Sequence, residues 1–244
     1  DMGIHVNITG SAISYALECY KESIKMPTPF GDYAIEYSDE TMMSRYLRHI
    51  SESGKFTRLD LAIDDKGHNY YSVNDVREIC DSDRCMNRFR KYRAEYERSF
   101  HGTVTGNTLY FGNRQSNTFL RVYDKRLEQI QKTKKDCGFE WVRWELELKK
   151  DRANMVVDYL LSGKPLGSVA IGILSNYFRV VVKNNNNITR CDTDPLWERF
   201  IENVEKLRLT VSKSEKTLES KKEWIVKQCL PSISAIVAYE NGDM

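Results

Sequence analysis

The chain has 244 residues, 37 basic against 35 acidic side chains, and a formal net charge of +2. Hydrophobic residues make up 41% and charged residues 30%, which is typical of a globular domain and excludes a disordered chain, a collagen-like chain and a coiled-coil rod. The longest apolar runs, such as Val169–Leu174, are far shorter than the ~20 residues of a membrane span, so we expect no membrane association.

The first predicted elements alternate between strands and helices. Ile4, Val6 and Ile8 alternate with polar residues, a pattern that predicts a half-buried strand. The elements predicted here are a strand over residues 3–9, a helix over 10–22, a strand over 33–37 and a helix over 39–53. The chain starts without methionine, which suggests that residues precede Asp1.

Most of the predicted strands lie in the middle of the chain. Ser72 and Asp75 have the spacing of a helix capping box, and residues 88–100 fit either a strand or a helix. The predicted strands are 56–64, 105–111, 118–125 and 140–149, with a hairpin turn at 112–117. The predicted helices are 72–80, 151–162, 167–176, 195–206 and 214–230.

This order of elements predicts an α+β fold with a largely antiparallel sheet. We expect one domain over residues 1–190 and a helical extension over 191–244 that packs on it. The string Arg58-Leu-Asp-Leu61 resembles Arg143-Trp-Glu-Leu146, which hints at a duplicated unit.

Spacing of cysteines and histidines gives no sign of common cofactor sites. None of the six cysteines has C-x-x-C spacing, and the four histidines form neither H-x-H nor H-E-x-x-H. Scattered thiols predict free cysteines in a reducing cytoplasm. Neither G-x-G-x-x-G nor G-x-x-x-x-G-K-[ST] occurs, so we expect no nucleotide cofactor.

Two predicted strands carry carboxylates on one face and large apolar residues on the other. If the strands are neighbours, their oxygens meet and suit Mg²⁺ or Mn²⁺. The alternative is a solvated face on which Arg58 and Arg143 pair with the acids. The candidate metal ligands are Asp60, Asp64, Glu145 and Glu147.

A third strand places Tyr123 between two cations on one face, Arg121 and Lys125. A phenol with a pKa near 10 is a poor nucleophile at neutral pH. Flanking cations stabilise the phenolate and attract a phosphate. The alternative is an ordinary half-buried strand tyrosine, since the chain has 14 tyrosines.

A basic stretch interleaved with aromatic residues extends from Arg84 to Arg98. Such a stretch can follow a nucleic-acid backbone and stack on bases, or it can be a solvated amphipathic face. The candidate DNA-binding residues are Arg88, Arg90, Lys91, Tyr92 and Arg93.

Three ordered strings give the chain a resemblance to the Rep_trans family of rolling-circle replication initiators and related relaxases of integrative conjugative elements. They are Thr57-Arg-Leu-Asp-Leu-Ala-Ile-Asp-Asp65, then Asn107-Thr-Leu-Tyr-Phe-Gly-Asn-Arg-Gln-Ser116 followed by Phe119-Leu-Arg-Val-Tyr-Asp-Lys125, and Trp141-Val-Arg-Trp-Glu-Leu-Glu-Leu148. The resemblance spans nearly the whole chain, and its C-terminal part is similar to the conjugative-element branch.

The resemblance implies a site and a fold. It places the nucleophile at Tyr123 in the R-x-Y-x-K motif, and the acidic metal positions at Asp60 and Glu145, with Asp64 and Glu147 as second choices. It implies a divalent metal, a dimer, a host helicase as partner, and a saddle-like antiparallel sheet with internal pseudo-symmetry and helices on one side. Relatives in conjugative elements often carry a helix-turn-helix domain, which here would precede Asp1.

The expected reaction is site-specific nicking and rejoining of single-stranded or hairpin DNA at an origin of replication or transfer. Residues 1–190 would then form the catalytic nicking domain, and the extension over 191–244 would contact DNA or a second copy. Tyr123 forms a 5′-phosphotyrosine while Arg121, Lys125 or Arg143 balances charge on the phosphoryl oxygens. Two alternatives stay open: a catalytically silent origin-binding protein, and a metal nuclease that uses water.

Overall fold

The computed structural model describes residues 4–23, 39–202, 218–219, 222 and 225–239. The chain divides into two compact units, Asp1–Leu209 and Thr210–Met244. The boundary predicted after residue 190 falls inside the first unit. The strand predicted at 33–37 and most of the helix predicted at 214–230 lie outside the described residues.

A five-stranded antiparallel sheet forms the centre of the first unit, with the strand order β1-β6-β5-β4-β3. The hairpin between β4 and β5 turns at Gly112, whose positive φ of 88° suits glycine. The strands are β1 (Arg58–Lys66), β3 (Tyr92–Arg98), β4 (Val104–Phe111), β5 (Thr118–Asp124) and β6 (Trp141–Lys149).

The first unit also contains seven helices among the described residues. The capping box predicted at Ser72 is present, because the Ser72 hydroxyl accepts from the Asp75 N–H and the Asp75 carboxylate accepts from the Ser72 N–H. The helices are α1 (Ser11–Ser23), α2 (Asp39–Ser53), α3 (Val73–Asp81), α4 (Lys125–Thr133), α5 (Asp151–Leu161), α6 (Leu166–Tyr177) and α7 (Pro195–Phe200).

One face of the large sheet forms the core with helices α2, α3, α5, α6 and α7. Leu120, Val122 and Leu148 are fully buried and belong to a single apolar cluster with residues of α3, α5, α6 and α7. Trp197 in α7 is also fully buried, with its ring centroid 5.7 Å from that of Trp144 in β6. Helix α7, predicted as part of the C-terminal extension, therefore packs in the core of the first unit.

A second, three-stranded antiparallel sheet has the order β2-β7-β8. Its strands are β2 (Cys85–Asn87), β7 (Phe178–Val182) and β8 (Asp192–Thr193). A 3₁₀ turn, Ile188–Arg190, follows a polar loop at residues 184–187. These short strands and α4 were not predicted; α4 begins where the Asp124 carboxylate accepts from the Leu127 N–H.

The predicted α+β fold with a large antiparallel sheet is confirmed, and the ambiguous stretch at 88–100 contains strand β3. The strand predicted at 3–9 is wrong over its described part. Residues 4–9 form no strand, and Ile4 and Val6 remain exposed, because no described strand pairs with them.

The second unit contributes a π-helical turn, Ile225–Cys229, followed by helix α8 (Leu230–Tyr239). In the part of the chain that the structure describes, no helix is long and apolar enough to cross a membrane.

Candidate active site

The face of the large sheet opposite the core carries polar side chains in cross-strand rows. Tyr123 in β5 pairs with Arg143 in β6, which pairs with Asp64 in β1. In the next row Arg121 pairs with Glu145. The alternation of each strand produces this arrangement, since residues two apart point to the same face. The strands predicted to be neighbours are therefore adjacent, and their acids and cations meet.

The Tyr123 hydroxyl donates a hydrogen bond to Glu145 Oε2 at 3.0 Å. Glu145 Oε1 accepts from the Arg121 guanidinium. Both partners of Glu145 therefore come from β5, two residues apart. This geometry holds the phenol beside a carboxylate that can accept its proton.

Three cations surround the Tyr123 ring. Lys125 Nζ lies 5.6 Å and Arg121 Cζ 6.0 Å from its centroid, and Arg143 is its cross-strand neighbour. Burial, followed by the charges of Glu145 and Glu128, raises the pKa of Tyr123, and Arg143 opposes this rise. The resting site therefore holds a neutral phenol among cations that can bind a phosphate.

The Asp64 carboxylate accepts hydrogen bonds from Arg143 and Trp141. Arg143 donates from Nε at 2.6 Å and from Nη2 at 2.8 Å, and Trp141 donates from Nε1 at 2.8 Å. Although burial acts in the opposite direction, these hydrogen bonds lower the pKa of Asp64. Asp64 thus orients Arg143 towards the Tyr123 row.

Lys125 is held in place by Glu128. Lys125 is 7% exposed and forms an ion pair with Glu128, which also pairs with Lys132 on the same helix. Against the effect of burial, these two lysines lower the pKa of Glu128. The Glu128 carboxylate therefore holds the Lys125 ammonium next to the ring of Tyr123.

Asp60 and Glu147 are cross-strand neighbours that share one cation. Arg58 Nη2 contacts Asp60 Oδ2 at 2.5 Å and Glu147 Oε2 at 2.8 Å, and Lys149 Nζ contacts Glu147 Oε1 at 2.7 Å. The Glu147 side chain is only 2% exposed. Its Oε2 is an ion-pair partner of Arg58 but accepts no well-aligned hydrogen bond from the described residues.

The chemistry of these carboxylates fits a hard divalent cation, because all their donors are oxygens and Glu147 Oε2 keeps an unused acceptor position in a buried place. In the described residues, no three or more Asp, Glu, His or Cys side chains converge as a preformed ligand set. The acids are instead bonded to arginine and lysine. A metal ion would have to replace some of these partners.

The basic stretch predicted to bind DNA is divided between environments. Arg88, Arg90 and Lys91 are exposed in the loop before β3. The Tyr92 ring stacks on Phe111 at 5.7 Å, on the core side, and its hydroxyl donates to Asp81.

Arg93 points to the opposite face, which is the face of Tyr123. Arg93 therefore lies on the same surface as Tyr123, whereas Tyr92 does not.

Arg58 bridges two acids, as the salt-bridge interpretation expected. The sequence analysis gave no role to three other residues that build this site. Glu128 and Trp141 position Lys125 and Asp64. Tyr110 pairs with Arg121 and shares its face. The alternation of β4 could have identified Tyr110, whereas the contacts of Glu128 depend on a helix that was not predicted.

The known proteins that this chain resembles are named as a DNA relaxase and as replication initiation proteins. A protein of Bacillus subtilis strain 168 provisionally named DNA relaxase NicK is 35% identical over 196 residues, which cover 77% of this chain and 54% of that protein. A replication initiation protein of Staphylococcus aureus is 28% identical over 138 residues, covering 55% and 38% of the two chains. The chain thus spans about half or less of the length of these curated relatives.

A solved structure shares the fold. The rolling-circle replication initiator protein of Geobacillus stearothermophilus matches with a TM-score of 0.57 and 30% identity, over 69% of this chain and 63% of the other. The sequence profile of Rep_trans, described as replication initiation factor, matches residues 54–244. That range includes β1, β5 and β6, and the chain belongs to the Rep_trans family of replication initiation factors.

Proposed function

We propose that this protein nicks and rejoins one DNA strand at a specific site through a covalent 5′-phosphotyrosine on Tyr123. The observation that carries the proposal is the Tyr123 hydroxyl bonded to Glu145, with three cations around the ring, on the face of the sheet opposite the core. Family membership and relatives named as a relaxase and as replication initiators support it. The product starts rolling-circle replication or conjugative transfer.

The reaction balances with the groups at hand. The Tyr123 oxygen attacks the phosphorus, its proton passes to Glu145 Oε2, and the bond from phosphorus to the 3′-oxygen breaks. The leaving 3′-oxygen takes up a proton and becomes a free 3′-OH. Because the phosphoester bond is kept in the protein–DNA link, rejoining requires no nucleotide cofactor.

Two arginines and a lysine have distinct tasks in this scheme. Arg121 and Arg143 lie in adjacent rows of the sheet on the face of Tyr123, where they neutralise charge that develops on the phosphoryl oxygens. Lys125, fixed by Glu128, favours the phenolate as it forms. Asp64 keeps the Arg143 guanidinium in a fixed orientation through two hydrogen bonds.

We also propose that the activity depends on Mg²⁺ or Mn²⁺. Asp60 and Glu147 are the residues that would hold the ion, and Glu145, which accepts the proton in this scheme, lies in the neighbouring row. Asp64 is the least available of the four acids, since three hydrogen bonds already occupy it. A bound divalent ion supplies Lewis-acid polarisation of the phosphoryl oxygen.

The exposed basic residues before β3 are proposed to contact the DNA backbone, namely Arg88, Arg90 and Lys91. The proposed setting is the bacterial cytoplasm, with a host helicase that extends the unwound region and with the protein acting as a homodimer. The DNA must be locally single-stranded at the cut, as in an extruded hairpin.

The testing experiment is a denaturing-gel assay on supercoiled plasmid and short single strands from the source element. Wild type is compared with Tyr123→Phe, each with Mn²⁺ or with EDTA. The proposal predicts a metal-dependent protein adduct on the 5′ side of the cut that is absent in the variant. Cutting without an adduct in the variant indicates a water-using nuclease, and tight, metal-independent binding without cutting indicates a silent origin-binding protein.

A further inference from the structure

A second tyrosine, Tyr110, lies one row away from Tyr123 on the same face of the sheet. Tyr110 in β4 pairs with Arg121 in β5, and Arg121 stands two residues before Tyr123. Such diagonal neighbours have backbones roughly 7–8 Å apart. The nicking scheme above gives Tyr110 no task, although its ring lies beside the groups that contact the phosphate.

Tyr110 is the middle layer of a stack of three side chains. Its ring lies nearly parallel to that of Phe119, with 5.9 Å between centroids and an interplanar angle of 21°. The Arg93 guanidinium carbon lies 4.9 Å from the Tyr110 centroid. Phe119 is 4% exposed, whereas the Arg93 side chain is 68% exposed. The stack therefore leads from a buried ring to a planar cation at the surface.

Glu95 fixes the outer layer of this stack. Its carboxylate forms an ion pair with Arg93 at 2.8 Å, on the face shared with Tyr110. A guanidinium that is oriented in advance loses less conformational entropy when it binds a ligand. Burial and then the Glu95 charge raise the pKa of Tyr110, so its phenol stays neutral at physiological pH.

We propose that Arg93, supported from below by Tyr110, forms a stacking subsite for the nucleobase next to the phosphate that Tyr123 attacks. The inference rests on the proposed nicking function and assigns it a contact with one nucleotide. Bases stack on aromatic rings and on guanidinium planes, and every base offers a π-face for this. The distance of one row from Tyr123 suits a nucleotide adjacent to the cut.

The opposite face of the same hairpin supplies a matched control. Arg98 lies 5.1 Å from the ring centroid of Tyr96, so this pair repeats the cation–π arrangement. Tyr96 pairs with Asn107, whose side chain bonds to Asn74 of α3 at 3.2 Å. Tyr96 therefore belongs to the helix-covered side of β3, away from Tyr123.

The experiment measures binding of a fluorescent single strand by anisotropy, at fixed salt, in a Tyr123→Phe background of the full chain so that the DNA stays intact. The strand is one that the wild type nicks, together with versions that carry one abasic position each. Tyr110→Ala and Arg93→Ala are compared with Tyr110→Phe and with the controls Tyr96→Ala and Arg98→Ala.

We expect Tyr110→Ala to weaken binding of the intact strand by roughly 5- to 150-fold. The same substitution should have little further effect on a strand that is abasic next to the cut. Tyr110→Phe keeps the ring and should bind as the background does. Arg93→Ala should weaken binding at the same position, and since Arg93 is exposed, this variant tests the subsite without disturbing the core.

If the Arg93 and Tyr110 variants lose affinity by the same factor for every abasic strand, whatever the abasic position, the subsite is overturned. The nicking function is left intact by that result. The same conclusion follows if the Tyr96 and Arg98 controls reproduce the position-specific loss. A wild-type protein that nicks no DNA overturns the proposed function, and the subsite with it. Melting curves of each variant separate a binding defect from unfolding.

Discussion

The two faces of the five-stranded sheet are built from the same strands but do different things. On one face Leu146 and Trp144 of β6 are about 1% exposed and pack in the core. On the other, Glu145 and Arg143 of the same strand bond to Tyr123 and Asp64. Alternation along a strand therefore separates stability from chemistry at neighbouring positions. Substitutions on the two faces should have separable effects.

The largest expected effect is on the polar face, at Tyr123. Tyr123→Phe removes the hydroxyl that donates to Glu145 but keeps the ring. We expect complete loss of the covalent adduct, with the free energy of unfolding changed by less than about 1 kcal/mol. Gel assays and urea unfolding measure the two quantities. Tyr110→Phe is the matched control and should keep its adduct.

Next in size is the effect of replacing the proposed proton acceptor. Glu145→Gln keeps the shape of the side chain but removes the base, and we expect nicking to slow by about 10²- to 10⁴-fold. The substitution also leaves the Arg121 charge without its partner, so some stability is lost. Single-turnover kinetics on a short strand measure the rate. An unchanged rate would contradict a role for Glu145 in proton transfer.

On the apolar face the effect is on stability alone. Leu146 pairs with Leu61 on one side and Leu120 on the other, in the middle of the sheet. Leu146→Ala creates a cavity there and should cost about 2–5 kcal/mol of unfolding free energy. Denaturant unfolding measures this loss. The folded fraction should nick at nearly the wild-type rate, and a specific loss of chemistry would break the separation of the two faces.

The smallest expected effects are shifts of the Tyr123 pKa. Because burial and Glu145 raise this pKa, Tyr123 should not ionise until the pH exceeds its ordinary value of 10. Arg143→Gln removes a charge that favours the phenolate, so the pKa should rise further, whereas Glu145→Gln should lower it. Difference absorbance against Tyr123→Phe follows the phenolate, and shifts of opposite sign would contradict the assigned contacts.

Much of the sheet could be predicted from sequence, since period-2 alternation marks strands such as β1 and β6 and capping residues mark α3. The pairing of Tyr123 with Arg143 depends on strand order, which no local pattern contains. Helix α4 was missed because it is short and carries only two large apolar residues, Leu127 and Ile130, and with it the contact of Glu128 with Lys125 was missed. The alternation at residues 4–9 failed because alternation predicts a strand only where a partner strand is present, and none of the described strands pairs with these residues.

The four acids proposed as metal ligands also show what the sequence cannot predict. Their residue types predicted a surface of oxygen ligands, and the structure places them on one face in adjacent rows. Their bonds to Arg58, Arg121 and Arg143 could not be chosen from sequence, since the metal and the salt-bridge interpretations use the same residues. Metal binding thus remains a prediction for measurement.

The most direct test of the central claim is peptide mapping of the covalent DNA adduct. Trypsin cuts after Arg121 and Lys125, so Tyr123 lies in the peptide of residues 122–125, whereas Tyr110 lies in the peptide of residues 99–114. After nuclease trimming, mass spectrometry should find the nucleotide attached through phosphate to Tyr123. An adduct on residues 99–114, or on any other tyrosine, would contradict the account.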